Sequence, residues 1–180
     1  MVQTIRVDQV LRETVATPYR DLVTRTTGAA VRTSIERAIL AEDSGTTLLD
    51  FSAVGLVDFS CADEVVAKLL LSAGLPAGRY LVLSGVREDH SEAIDHVLRH
   101  HDLAILVADD ESGPCRILGF LAADLAEALT EVLRRGPLDV ATLSEAIAWP
   151  LERAALALDR LTLLRLVQAE GLTYRPVPIA

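Results

Sequence analysis

Apolar residues recur along the chain at two different periods, and the change between them divides it. Ala29, Ala30, Val31, Ile35, Ala38, Ile39 and Leu40 fall at helical spacing. They predict an amphipathic helix capped by Thr27 and ended by the turn Glu42-Asp43-Ser44-Gly45. Residues 46–52, Thr-Thr-Leu-Leu-Asp-Phe-Ser, are a short apolar run and predict a buried strand. Ala62, Val65, Val66, Leu69 and Leu70 mark a second helix over residues 61–72. After a loop at 74–78 come a strand at 80–84, a helix at 91–101 and a strand at 103–107. A charged turn at 109–113 then leads into a further strand at 115–118. The N-terminal residues to about Thr24 alternate loosely and predict one or two edge strands, broken near Pro18. Strands alternating with helices of this length imply βαβ units, hence an α/β fold with a mainly parallel sheet.

From about Leu121 the pattern becomes consecutive helices. Residues 121–135 predict one continuous amphipathic helix, ended by Gly136-Pro137, and residues 143–148 a shorter one. Trp149-Pro150 makes a turn, with Pro150 suited to the first helical position, and a third helix covers 151–163. Residues 165–168 and 172–175 read as two strands around Glu170-Gly171. A boundary is therefore expected at 118–122, between a first domain of residues 1–120 and a second of 121–180.

Composition narrows the function. About half the residues are hydrophobic and only 4% are aromatic, so the core is aliphatic. No run approaches the roughly 18 uncharged apolar residues of a membrane span, and the N-terminus lacks the pattern of a secretion signal; a cytoplasmic location with no membrane partner is expected. The net charge of -9 is opposite in sign to the basic footprint of most nucleic-acid binders. Cys61 and Cys115 stand far apart with no CxxC spacing, which predicts reduced, packed thiols rather than a zinc site. Glu92, His96 and His100, four residues apart on one helix, are better read as a solvated polar face than as metal ligands, since one helix holds three ligands poorly. The acidic turn at 109–113 lacks the spacing of a calcium loop. The chain carries no glycine-rich phosphate loop, nucleophile elbow or HExxH helix. No enzymatic activity, metal or cofactor is expected.

The segment richest in functional content is residues 48–71, LLDFSAVGLVDFSCADEVVAKLLL. It resembles the core of the STAS and STAS-like family, which includes the anti-sigma factor antagonists. There, a strand ending Asp-hydrophobic-Ser leads through a small loop to an Asp-Ser-Ser-Gly helix start. Val57-Asp58-Phe59-Ser60-Cys61 stands in that place, with Phe59 for the first Ser and Cys61 for the Gly. Asp63 and Glu64 follow closely, and these with residues 24–32 bring the chain nearer the bacterial STAS-like branch. The resemblance, over residues 20–110, implies that Ser60 occupies the position phosphorylated by a partner kinase, and that the partner is a kinase-type ATPase of the anti-sigma class. A helix start stabilises a phosphate through its free N–H groups, whereas Asp63 and Glu64 are expected to repel one. The plainer reading makes Ser60 an N-cap, with Asp63 or Glu64 completing a capping box. Ser60, Asp58, Asp63 and Glu64 are thus the candidate docking or phosphorylation residues.

Residues 121–177 resemble a winged helix-turn-helix unit in their order of helices and terminal hairpin. DNA readers of that family load the third helix with basic and polar residues. Here it begins Leu151-Glu152-Arg153-Ala154-Ala155-Leu156, and residues 121–180 hold eight acids against six arginines. Arg153, Arg160 and Arg175 are the candidate DNA contacts within the wider set Arg134, Arg135 and Arg165. The resemblances together imply a non-enzymatic bacterial signalling adaptor, docking a protein partner through its first domain and using the winged helix for homodimerisation or protein binding. The rival expectation is a DNA-binding transcriptional regulator whose first domain senses a ligand or partner. A small-molecule pocket near Ser60 is a third.

Overall fold

The computed structural model describes residues 1–16, 18–72, 75–109 and 116–179. Cys115, most of the expected turn at 109–113 and part of the loop at 74–78 lie outside them. The protein is a mixed α/β fold. Strands β1 (Val2–Arg6), β2 (Thr46–Asp50), β3 (Tyr80–Ser84) and β4 (Ala104–Ala108) lie side by side in chain order and are all parallel. Strand β5 (Arg116–Gly119) returns antiparallel beside β4. Gly119 ends it at φ +99°, where a Cβ would lie 2.1 Å from the Leu103 carbonyl oxygen.

This strand order decides where everything else goes. Parallel crossovers are almost always right-handed, so strands added one after another in one direction send every connecting helix to the same face. Helices α1 (Val7–Val15), α2 (Arg25–Ala41) and α5 (Glu88–His100) lie there, joined by a helix in three parts: α3 (Phe59–Ala62), a π-helical stretch Asp63–Ala67, and α4 (Lys68–Leu71). Side chains alternate between the faces of a strand. Ile5, Leu49, Leu81, Leu83, Ile105 and Val107 point into the core beneath these helices, with Ile35, Val66 and Ile94.

The opposite face presents Tyr80, Val82, Ala104, Leu106 and Ala108. Strands β3 and β4 are apolar on both sides, as strands covered on both faces are. The cover comes from the C-terminal segment: α6 (Ala123–Arg135), α7 (Val140–Ile147), α8 (Leu151–Leu163) and a hairpin of β6 (Val167–Glu170) and β7 (Thr173–Pro176) turning at Gly171. Leu138 adds a bridge to Tyr174. Leu129, Val132, Leu158 and Leu161 bury themselves in one cluster with Val82 and Leu106. Arg165 donates to the carbonyls of Leu75, Pro76 and Arg79 at 2.9–3.0 Å, fastening the segment to the loop before β3. The change of architecture falls between β5 and α6, inside the expected 118–122 window, but the two parts share a core where separate ones were expected.

Three local expectations are corrected. The N-terminal stretch supplies one edge strand and then a helix, because Val7, Val10 and Leu11 fall at helical spacing. Helix α2 is capped by Thr24, whose Oγ1 accepts from Thr27 N at 3.4 Å, and not by Thr27. Pro150 precedes α8 as its N-cap and is not its first helical residue. Among the described residues, no helix is long and apolar enough to cross a membrane.

Candidate functional site

The loop from β2 to α3 brings the candidate residues together, but in other roles than those expected. Asp58, not Ser60, is the N-cap of α3. Its backbone is extended (φ -82°, ψ 164°), its Oδ1 accepts from Cys61 N at 2.7 Å, and its Oδ2 accepts from Thr24 N at 2.9 Å. One carboxylate thus ties the start of α3 to the start of α2. Ser60 lies in the first helical turn and donates its hydroxyl to Asp58 Oδ1 at 2.8 Å. Burial pushes the Asp58 carboxyl up, but hydrogen bonds from Cys61, Thr24 and Ser60 outweigh it and hold the group below the ordinary range. Cys61 is fully buried. That burial, with Asp58 beside it, pushes the thiol up to about 12, so it stays protonated and inert.

Thr24 reaches this arrangement at φ +73°, ψ 138°. A β-branched residue there is a genuine outlier, of a kind that costs on the order of 1–3 kcal/mol and persists only where the surroundings enforce it. The Asp58 bond to its N–H and the Cys61 thiol, 2.9 Å from its carbonyl oxygen, supply that enforcement.

Asp63 and Glu64 form neither a capping box nor a free negative patch. Arg25 Nη1 lies 2.7 Å from Asp63 Oδ2 and 2.9 Å from Glu64 Oε1. Arg32 Nε is 3.3 Å from Glu64 Oε2, Lys68 also pairs Glu64, and His101 Nε2 is 2.7 Å from Asp63 Oδ1. For Asp63, burial raises the carboxyl, while the bonds from Arg25 and His101 bring it net below the usual range. Buried Glu64 behaves alike, with Lys68, Arg25 and Arg32 overcoming its desolvation. The expected repulsion of a phosphate is therefore largely neutralised in place. Both acids stand at the start of the π-helical stretch, a local widening that is frequent where helices carry function.

Above this network lies a cleft of about 450 Å³ between α3 and α5, lined by Arg25, Phe59, Ser60, Asp63, Val97 and three histidines. Phe59 is half exposed, its ring 4.8 Å from that of His96. The rings of His100 and His101 meet edge to face at 5.2 Å. Glu92 is parted from His96 and His100: it lines a shallower depression with Glu88, Asp89 and Asp95. Among the described residues, no group of three His, Cys, Asp or Glu side chains is placed to hold a metal ion.

The reading from sequence missed Arg25, Arg32, Lys68 and His101. Arg25 did leave a signal. It opens α2 with no acid in that first turn, where the helix dipole disfavours a cation, so its partner had to come from another element.

The arginines of the C-terminal segment do not converge. Arg134 and Arg135 both pair Glu131, Arg175 bonds Gln168 and Glu170, and Arg165 is spent on three carbonyls. Arg153, stacked 3.9 Å over the Trp149 ring, and Arg160 lie seven residues apart on the exposed side of α8, lining a small cleft with Leu156.

Comparison with known protein families, with curated proteins and with solved structures found no match. What the fold and site define is a mixed α/β protein with a partly buried serine and a half-exposed phenylalanine at a helix start, set over a balanced ionic network.

Proposed function

We propose that the chain is a non-enzymatic signalling adaptor of the bacterial cytoplasm. Residues 1–120 act as a STAS-like domain that docks a protein partner, a kinase-type ATPase of the anti-sigma class. The C-terminal unit acts as a winged helix used for protein contacts. The observation that carries the reading is the surface at α3: the Ser60 hydroxyl stands beside half-exposed Phe59, on a cleft edged by Arg25, His96 and His100. An apolar anchor next to a modifiable hydroxyl suits a docking face that a charge can switch. A strained Thr24 in the same network fits a site held in one geometry for a purpose. The order helix, bridge, helix, helix and hairpin over residues 123–176 supports the winged-helix reading.

The alternative, a DNA-binding regulator, is favoured by Arg153 and Arg160 lying exposed on α8. It is opposed by Glu152 and Asp159 on the same helix and by the engagement of the other four arginines. The docking reading is tested by recovering a partner from the native cytoplasm and measuring its affinity for Ser60→Asp and Ser60→Ala, each corrected for its own thermal stability. Docking controlled at Ser60 predicts weaker binding by Ser60→Asp, because the added charge must be desolvated at the interface. Equal affinity for both variants refutes the switch.

A further inference from the structure

Helix α8 is amphipathic in two senses. Its inner side, with Ala154, Ala157, Leu158 and Leu161, is buried against the rest of the fold. Its outer side carries two apolar residues seven positions apart, Leu156 and Leu163. Leu156 is 64% and Leu163 78% exposed, so the described residues leave both largely uncovered. Charges flank them at the same spacing. At roughly 100° per residue, Arg153 and Arg160 stand about 40–60° to one side of Leu156, and Glu152 and Asp159 about 40–60° to the other. The strip therefore reads acid, leucine, arginine across its width, twice along its length.

Such a strip is complementary to itself in one orientation. A two-fold axis parallel to the helix sets the acidic flank of one copy against the basic flank of the other, level by level: Glu152 by Arg153, Asp159 by Arg160. A two-fold axis perpendicular to the helix sets arginine against arginine and acid against acid. A DNA duplex in the same place would meet Glu152 and Asp159 with phosphates. Since each chain carries a net charge of -9, most other approaches of two copies are repulsive, and this locally neutral strip is not.

The geometry points to α8 as a self-association surface, on which two copies of this chain pair their α8 helices side by side and parallel about a two-fold axis. The proposal rests on reading the C-terminal unit as a protein-binding module and names its partner, a second copy; it does not depend on Ser60. With only one apolar position per heptad, and an area well below the roughly 1,200–2,000 Å² of stable complexes, the pair is weak, with a dissociation constant on the order of 10–100 µM.

Sedimentation equilibrium of the full chain from about 1 to 500 µM tests this across that range. Reversible dimerisation is expected, weakened about tenfold or more by Leu156→Glu, as for a central apolar anchor. Arg153→Glu/Arg160→Glu and Glu152→Arg/Asp159→Arg are each expected to be monomeric alone and to associate when mixed. All four positions and Leu156 are exposed, and an unchanged thermal midpoint verifies that each variant folds. In a Cys115→Ser background, Leu156→Cys and Leu163→Cys should each cross-link to itself under oxidation. In an antiparallel pair centred between them, each would lie about 10 Å from its own copy, beyond the roughly 4.4–6.8 Å Cα separation of a disulfide. A parent chain that stays monomeric throughout overturns the pairing, and so does a dimer indifferent to these substitutions or without either cross-link. Those results leave the Ser60 reading untouched. Tight, site-specific duplex binding lost in Arg153→Glu/Arg160→Glu would overturn the pairing and the protein-binding reading of the unit together.

Discussion

Replacing Asp58 and Ser60 separately decides which of them holds the start of α3. Asp58→Ala removes the acceptor for Cys61 N at 2.7 Å and for Thr24 N at 2.9 Å. A lost N-cap costs about 0.5–2 kcal/mol, and the bridge to Thr24 adds about 0.5–1.5 kcal/mol. Water reaches this half-buried loop and recovers part of the second figure, so the expected cost is about 1–3 kcal/mol. For a chain of this size that lowers the thermal midpoint by roughly 2–4 °C per kcal/mol. Ser60→Ala removes one hydroxyl bond to Asp58, worth about 1 kcal/mol, and gains roughly 0.5 kcal/mol of helix propensity; its net cost is about 0.5 kcal/mol. Urea denaturation at constant slope measures both. Their pH dependence separates the charge from the fold. The Asp58 carboxyl is held down in the folded state, so its contribution is complete above the unfolded value of about 3.9. It is lost as the pH falls through the lower folded value. The gap between the parent and Asp58→Ala should therefore be constant from pH 7 to 5 and close below about pH 4. A Ser60→Ala cost equal to that of Asp58→Ala would refute the assignment of the cap.

Glu64→Gln should destabilise the protein by about 1–3 kcal/mol at neutral pH, since the buried carboxylate gives up charged bonds while half-exposed Arg25 and Lys68 recover solvent. The Glu64 carboxyl is also depressed, so the difference from the parent should fade only below its ordinary range; a neutral substitution at pH 7 would show that the network contributes nothing. Truncation after Phe120 should give an aggregating, poorly folded product. It re-exposes Tyr80, Val82 and Leu106 at about 1.5–3 kcal/mol per large side chain, against a total stability of about 5–15 kcal/mol. A monomeric, cooperatively melting 1–120 fragment would refute the shared core.

Much of the fold was legible because period is a local property. Strands β2, β3 and β4 and helix α8 lie within a residue or two of their expected places, their apolar runs being long enough to name their own geometry. The N-terminal helix was missed because Val2, Ile5 and Val7 mimic alternation until Val10 and Leu11 are counted with Val7. The site was legible in membership but not in roles. Asp58, Ser60, Asp63 and Glu64 do gather at one helix start. Which of two adjacent residues caps it depends on where the helix begins, and here it begins at Phe59, two residues before the expected Cys61. Apart from Lys68, four residues beyond Glu64, the partners of Asp63 and Glu64 come from α2 and from His101 at the end of α5, 32 to 39 residues away in sequence. Nothing local to residues 58–64 announces them.

The shared core was harder to see, and the reason lies in topology. A separate C-terminal unit is the natural reading of consecutive amphipathic helices after a βα pattern, because such helices can bury one another. What overrides it is the chain order of β1 to β4. With every crossover helix on one face, the other face of β3 and β4 is left bare, and its Tyr80, Val82 and Leu106 form an apolar surface too continuous to leave in water. The signal was present in the strands themselves: residues 80–83 and 104–108 are apolar at every position, and a strand covered on one side only alternates. Two uninterrupted apolar strands in a chain whose crossovers all lie on one side require a second cover. Residues 123–177 supply it, and α6 and α8 each spend one face on doing so. The outer face of α8, with Leu156 and Leu163 exposed, is left over from that cover and stands open to a contact beyond the chain.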